Sequence, residues 1–172
     1  WAKSDFRGME LSGKTLVVLG AGHIGLRVAE LGRAFGMRVV IYKRGGNLGS
    51  IVPQADIISI HLPLTDETRE IIGKKEFKMM KKTAILVNTA RGAIVDEKAL
   101  IDALKIGTIA GAALDVFEVE PLSSESELLR LPNVIVTPHV AADSRESENR
   151  ASLMVAEDIH RVLQGEKPIN PV

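Results

Sequence analysis

Residues 15–35 read TLVVLGAGHIGLRVAELGRAF, an apolar run followed by a glycine-rich turn and an amphipathic stretch. This order predicts a strand, a turn and a helix. Gly20 makes the tight bend, Gly22 lets the backbone approach a phosphate, and Gly25 lets helix and strand pack closely. Because the helix N-terminus carries partial positive charge, the unit predicts a binding site for a dinucleotide pyrophosphate. The alternative is a turn whose glycines only relieve backbone strain.

The composition is that of an ordinary globular domain. Of the 172 residues, 45% are hydrophobic and 26% are charged, which is enough for a sizeable core. The 22 basic and 22 acidic side chains cancel, so neither nucleic acid nor a membrane is expected as a partner. The absence of cysteine excludes disulfides, thiol catalysis and thiolate metal sites. We expect a cytoplasmic protein without a metal, and the start at Trp1 indicates an excised domain or fragment.

Apolar β-branched runs alternate with longer amphipathic stretches along the whole chain. The predicted strands are Thr15–Leu19, Arg38–Tyr42, Ile57–His61, Ala84–Asn88, Ile109–Leu114 and Val134–Val136, and the predicted helices are His23–Phe35, a helix capped by Asp96 that runs through Ile106, and Ser147–Gln164. This alternation predicts an α/β fold, a Rossmann-type doubly wound parallel sheet with helices on both faces. The lysine-rich run from Lys74 to Lys82 is interpreted as the solvated face of a further helix. Lys43–Ser50 is glycine-rich and short for the crossover helix expected there.

Basic residues follow the second predicted strand. In an open parallel sheet, ligands bind beyond the carboxyl ends of the strands, and after the second strand a carboxylate usually accepts from the ribose 2′-hydroxyl of NAD. Here Lys43 and Arg44 stand at that place. Since lysine and arginine attract a 2′-phosphate, the sequence favours NADP over NAD, with a solvated basic turn as the alternative.

Five longer motifs follow one another in a fixed order. They are GMELSGKT (residues 8–15), HLPLT (61–65), VNTARG (87–92), GAALDVFEVEP (111–121) and NVIVTPHV (133–140). Together with the glycine loop they resemble the nucleotide-binding half of the D-isomer-specific 2-hydroxyacid dehydrogenases. The resemblance implies hydride transfer between NAD(P)H and a small 2-keto or 2-hydroxy acid. It also implies a homodimer, whose interface we expect to include Trp1 and Phe6–Leu11.

The resemblance assigns roles to individual residues. It implies that Arg91, Glu120 and His139 are catalytic and that Asp115 contacts the nicotinamide carboxamide. An imidazole can give or take the proton at a carbonyl oxygen, a neighbouring carboxylate favours the imidazolium, and a guanidinium can grip a substrate carboxylate. The full set of residues expected to bind the cofactor is Gly20, Gly22, His23, Ile24, Gly25, Lys43, Arg44, Leu62, Pro63, Thr68, Thr89, Ala90, Asp115 and His139. His61 is interpreted as a loop or core histidine without a chemical role.

The chain departs from the family pattern in three respects. The N-terminal part and the last C-terminal helix, which form a substrate-binding domain, are absent, so we expect residues 1–172 to be the dinucleotide-binding domain alone. The segment Lys43–Asp56 is shorter than usual, and the ribose-binding aspartate is missing. Glyoxylate or hydroxypyruvate reductase and phosphoglycerate dehydrogenase stay open as subtypes. A cofactor-sensing, corepressor-like regulatory module and an inactive fragment are the alternatives to an enzyme.

Overall fold

The computed structural model describes residues 8–171, in two compact units that divide after Pro138. Trp1 and Phe6, which the dimer prediction uses, lie outside the described residues. The strands are β1 (Thr15–Leu19), β2 (Arg38–Tyr42), β3 (Ile57–Ile60), β4 (Ile85–Asn88), β5 (Gly111–Leu114) and β6 (Val134–Val136). The helices are α1 (His23–Ala34), α2 (Leu48–Ile51), α3 (Lys74–Met79), α4 (Glu97–Lys105) and α5 (Arg145–Leu163). Within residues 8–171, no helix combines the length and apolar character needed to cross a membrane.

The six described strands form one parallel sheet in the order β2-β1-β3-β4-β5-β6. This confirms the predicted doubly wound sheet. After β2 the chain crosses back over β1 to form β3 on its other side. The loops that leave β1 and β3 therefore diverge, and a crevice opens between them at the carboxyl edge of the sheet. This reversal of strand order decides where a ligand can enter.

The first strand lies at the centre of the hydrophobic core. All five residues of β1 are buried, because both of its faces are covered. Side chains alternate along a strand, so Leu16 and Val18 pack with Ala29 of α1, whereas Val17 and Leu19 belong to the larger core on the opposite face. That larger core continues beneath α3 and α4. The glycine loop therefore follows the one strand, among the six described, that is buried along its whole length.

The predicted bounds of β1, β2 and β6 match the structure, and those of the other predicted strands and helices differ by at most two residues. The last helix begins at Arg145 rather than Ser147, because the Ser144 hydroxyl accepts a hydrogen bond from the Ser147 N–H at 3.1 Å and caps the first turn. The glycine-rich crossover after β2 contains only the short α2 and a 3₁₀ turn at Val52–Gln54. The first part of the lysine-rich run forms α3, where Lys74, Lys75 and Lys78 are exposed as predicted, whereas Lys81 and Lys82 follow the end of the helix. The sheet is less well covered at its β6 edge, where Ile135 is 69% exposed.

A carboxylate joins two strands at the amino edge of the sheet. Asp56 accepts a hydrogen bond from the Thr15 N–H at 2.8 Å and pairs with the Lys81 ammonium at 2.8 Å. Burial by itself would raise the pKa of Asp56. The hydrogen bonds from Lys81 and Thr15, with the positive charges of Lys81 and Lys14, outweigh it and hold the pKa below its usual range. This site therefore stabilises the fold at the edge opposite the crevice.

The second unit, residues 139–171, contains α5 and a short tail. The tail returns to the helix, where the Asp158 carboxylate accepts hydrogen bonds from the backbone N–H groups of Ile169 at 2.6 Å and Asn170 at 3.0 Å. These backbone hydrogen bonds lower the pKa of Asp158. None of the residues of α5 is buried.

Candidate functional site

A cavity of about 640 Å³ opens at the carboxyl ends of β1, β2 and β3. Its volume lies within the roughly 300–1,000 Å³ that small-molecule and cofactor sites occupy. The lining residues come from the three loops that follow these strands: Gly20, Ala21, Gly22, Tyr42, Lys43, Arg44, Gly45, His61, Leu62, Pro63, Thr65, Glu67, Thr68 and Ile71. The cavity thus occupies the crevice that the strand order creates.

The glycines of this loop differ in the space around them. Gly20 and Gly25 are packed against backbone with no room for a side chain, whereas Gly22 faces open space. Gly20 has φ of +117°, and a Cβ there would lie 2.4 Å from the His61 carbonyl oxygen. A Cβ on Gly25 would lie 2.1 Å from the Gly20 carbonyl oxygen. At Gly22, the N-cap of the 12-residue helix α1, a Cβ would meet nothing within 4 Å. This shape and the helix N-terminus fit a dinucleotide pyrophosphate.

The loop after β3 forms a fixed wall of the cavity. The Thr68 hydroxyl donates to the Pro63 carbonyl oxygen at 2.6 Å and accepts from the Thr65 N–H at 2.8 Å. His61 also lines the cavity, and its Nε2 lies 2.8 Å from the Ser59 hydroxyl oxygen. Burial lowers the pKa of His61, which favours the neutral imidazole. His61 was expected to be a loop or core residue, and it is a partly buried wall residue.

The two basic residues after β2 line the outer part of the cavity. The Arg44 Nε donates to the Glu67 Oε2 at 2.8 Å, and the Arg44 Nη2 lies 2.6 Å from the same oxygen. Both side chains are well exposed, at 79% for Arg44 and 65% for Glu67. Among the described residues that line the cavity, Glu67 is the one carboxylate. Sequence reasoning missed Glu67, because its position beside Arg44 follows from the neighbouring places of β1, β2 and β3.

Two further loops carry the predicted Arg91 and Glu120. The buried Asn88 side chain holds the first loop, since its amide donates to the Arg91 carbonyl oxygen at 3.0 Å and its oxygen accepts from the Ala90 N–H at 3.0 Å. The Glu120 carboxylate accepts from the Phe117 N–H at 3.0 Å. The loops are in contact, because a Cβ on Gly92 would lie 1.9 Å from the Phe117 carbonyl carbon. Arg91 and Glu120 therefore project from neighbouring loops at the carboxyl ends of β4 and β5.

The remaining predicted residues lie at several places. Asp115 is buried after β5 and accepts a hydrogen bond from the Thr137 hydroxyl. His139 begins the second unit and has φ of +57°, a left-handed conformation that non-glycine residues adopt mainly where the surroundings enforce it. The predicted cofactor-binding residues outside the lining of the cavity are His23, Ile24, Gly25, Thr89, Ala90, Asp115 and His139. Gly25 lies beneath the glycine loop, where it lets α1 approach β1.

Residues 1–141 match the model of the D-isomer specific 2-hydroxyacid dehydrogenase NAD-binding domain. The chain belongs to this family. The match ends close to the boundary between the two compact units, after Pro138. The parallel sheet, the glycine loop and the polar loops after β4 and β5 all lie within the part of the chain that matches this NAD-binding domain.

Curated relatives of this chain include reductases and dehydrogenases of small acids. The glyoxylate reductase of Aeropyrum pernix is 50% identical over 185 residues, covering 100% of this chain and 55% of the relative. The D-3-phosphoglycerate dehydrogenase of Methanocaldococcus jannaschii is 45% identical, covering 100% of this chain and 35% of the relative. The chain thus spans about half the length of the first of these enzymes. The alignment with this reductase is 185 positions long, whereas this chain has 172 residues. At least 13 residues of the reductase therefore have no counterpart in this chain.

Solved structures of the family agree with the fold. The TT0316 protein of Thermus thermophilus is 40% identical with a TM-score of 0.92, covering 100% of this chain and 58% of its own. A Lactobacillus delbrueckii 2-hydroxyacid dehydrogenase in its NAD-complexed form is 34% identical with a TM-score of 0.88, covering 98% and 58%. The NADPH-dependent glyoxylate/hydroxypyruvate reductase of Sinorhizobium meliloti in complex with NADP is 30% identical with a TM-score of 0.88, covering 99% and 60%. Both nicotinamide cofactors thus occur among the neighbours.

Proposed function

We propose that this chain is the cofactor-binding and catalytic half of an oxidoreductase that transfers hydride between NADPH and a small 2-keto or 2-hydroxy acid. The observation that carries the proposal is the cavity at the reversal of strand order, which combines the glycine cradle with Lys43 and Arg44. Family membership supports the reaction class. The complete enzyme would include a substrate-binding domain, since this chain covers only 55% of the Aeropyrum pernix reductase and 58% of the Thermus thermophilus protein.

The proposed cofactor is held by both backbone and side chains. The N–H groups at the start of α1 and the glycine loop would bind the pyrophosphate, because the helix N-terminus favours negative charge there. Lys43 and Arg44 would bind the 2′-phosphate through charge-assisted hydrogen bonds. When bound, the reduced nicotinamide supplies the hydride. The proposed preference for NADPH rests on the two cations and on the missing acidic residue after β2.

The proposed catalytic residues act on the substrate oxygen and carboxylate. The His139 imidazole gives or takes the proton at the substrate oxygen, because an imidazole can act as both acid and base. Arg91 binds the substrate carboxylate and polarises the carbonyl, which a guanidinium can do through paired hydrogen bonds. Glu120 supplies a carboxylate that favours the protonated imidazole. Asn88 keeps the Arg91 loop in place through its two backbone hydrogen bonds.

Glyoxylate and hydroxypyruvate are the proposed substrates, because the relatives of known activity include reductases of both compounds and the basic pair suits NADPH. Phosphoglycerate is the competing substrate, since a phosphoglycerate dehydrogenase is nearly as similar. The homodimer and the cytoplasmic location stay predictions. Light scattering of the chain over a wide concentration range tests the dimer, and a mass near 18.6 kDa throughout would reject it.

Calorimetric titration of the 172-residue chain with NADPH and NADH tests cofactor binding. NADPH should bind at least tenfold more tightly, because a charge-assisted hydrogen bond is worth about 1.5–3 kcal/mol and 1.4 kcal/mol is tenfold in affinity. The variant Lys43→Ala/Arg44→Ala should lose that difference and keep its affinity for NADH. Equal binding of the two cofactors by the unaltered chain would contradict the proposed preference.

Steady-state kinetics of the full-length protein on glyoxylate, hydroxypyruvate and 3-phosphohydroxypyruvate tests the reaction. His139→Ala should lower kcat about 10²- to 10⁴-fold, the usual contribution of an acid–base group. His160→Ala, on a surface-exposed helix, is the matched control and should leave kcat unchanged. Cofactor binding without turnover on any of these acids would favour the regulatory module instead.

A further inference from the structure

We propose that Glu67 sets the balance between NADPH and NADH by competing with the 2′-phosphate for Arg44. This inference rests on the proposed function, since it concerns the same cavity. Glu67 follows β3 and Arg44 follows β2, and the two side chains meet across the outer part of the cavity. Glu67 thereby supplies a carboxylate to the cavity wall beside Arg44. The residues that directly follow β2, Lys43 and Arg44, supply none.

The geometry of the ion pair makes it a competitor. The Nε and Nη2 atoms of Arg44 both face the Oε2 atom of Glu67, at 2.8 and 2.6 Å. This is one of the edges through which a guanidinium binds two oxygens of a phosphate. A 2′-phosphate that uses this edge must displace Glu67 from Arg44. That displacement weakens NADPH binding, and it does not apply to NADH, which has a hydroxyl at that position.

Exposure keeps the competition modest. Arg44 is 79% exposed and Glu67 is 65% exposed, so water and salt screen their attraction. Exposed ion pairs change equilibria by less than about fivefold. The phosphate carries more charge than the carboxylate, so it can take Arg44 from Glu67 at a small cost. Glu67 therefore tunes the NADPH affinity without abolishing it.

Calorimetry on the 172-residue chain tests the inference through binding alone. Glu67→Gln should raise the affinity for NADPH about two- to fivefold, because it removes the competing charge. The affinity for NADH should stay within about 1.5-fold, since the glutamine oxygen still accepts a hydrogen bond. Asp66→Asn is the matched control, because Asp66 is exposed, adjacent in sequence and outside the cavity lining. It should change neither affinity.

A double-mutant cycle with Arg44→Ala separates competition from general repulsion. In the Arg44→Ala background, Glu67→Gln should no longer raise NADPH affinity, because no guanidinium is left to release. The inference is overturned if Glu67→Gln equals the unaltered chain, if Asp66→Asn gives the same gain, or if the gain persists without Arg44. These results leave the proposed function standing. Absence of binding to either cofactor overturns the proposed function and the inference together.

Discussion

Replacing Gly25 by alanine should destabilise the first unit, although alanine is the better helix former. Gly25 lies in the first turn of α1, and its added methyl group would stand 2.1 Å from the Gly20 carbonyl oxygen and 3.3 Å from a Val18 methyl carbon. The nearest obstacle is backbone that follows the fully buried β1, so it has little room to shift. Overpacking of this kind costs about 1–3 kcal/mol, and we place Gly25→Ala at the upper end.

The opposing effect is the gain in helix propensity. Alanine is better than glycine in a helix interior by about 1 kcal/mol, so the net loss for Gly25→Ala should be about 2 kcal/mol. For a domain of this size, each kcal/mol corresponds to about 2–4 °C, so Tm should fall by about 4–8 °C. Thermal unfolding followed by circular dichroism measures this shift. The direction of the change in Tm distinguishes the two effects, because the higher helix propensity of alanine by itself predicts a rise in Tm.

Gly32→Ala is the matched control in the same helix. A methyl group on Gly32 would lie 2.6 Å from the Leu16 Cδ2 atom and 3.3 Å from a Val39 methyl carbon. The nearest obstacle is the end of a flexible side chain, which can rotate away, so the helix-propensity gain should offset the packing cost. Tm should stay within about 2 °C. An unchanged or higher Tm for Gly25→Ala would refute the reasoning, and so would an equal fall in both variants.

Three further results are expected. Gly22→Ala should lower the affinity for both NADPH and NADH at least tenfold in calorimetry, because the added methyl group would stand where the pyrophosphate approaches the backbone. It should lower the free energy of unfolding by no more than about 1 kcal/mol, because the methyl group meets no protein atom within 4 Å. Asp56→Asn should lower the free energy of unfolding at pH 7 by about 1–2 kcal/mol, because it weakens the hydrogen bonds to Thr15 and Lys81. Since the folded-state pKa of Asp56 lies below its unfolded value, this stabilisation is present above about pH 4 and is lost as the pH falls further, so urea unfolding of the two proteins should converge in acid. Asn88→Ala should lower the free energy of unfolding by about 2 kcal/mol, because it removes two hydrogen bonds to the Arg91 loop. In the full-length protein the loosened loop should also raise KM for the keto acid. An unchanged KM would show that the loop does not contribute to substrate binding.

Much of the fold was accessible from local pattern. Alternating β-branched and amphipathic segments predicted the six described strands and the main helices, because side-chain period and capping residues act over a few neighbours. The ends were less certain, since a cap such as Ser144 competes with equally suitable residues beside it. The long motifs were specific enough to indicate the family, which the match over residues 1–141 confirms.

Part of the predicted cofactor site lies together in the fold. Gly20, Gly22, Lys43, Arg44, Leu62, Pro63 and Thr68 line one cavity, and their contact with a cofactor stays a prediction. Glu67 lies outside the motifs and was missed, and His61 was interpreted as a loop or core residue, because nothing in their own segments distinguishes a residue that faces a cavity from one that faces water. The predicted roles of Arg91, Glu120 and His139 stay predictions.

The sequence by itself determined the kinds of elements, their order along the chain and the chemistry at each loop. The tertiary structure decided which loops meet. Arg44 faces Glu67 because β2 and β3 lie on either side of β1, and Gly92 lies against Phe117 because β4 pairs with β5. Strand order depends on burying both faces of β1 at once, which involves residues far apart in sequence. No short stretch of sequence carries that information, so the partner of Arg44 appears only in the folded chain.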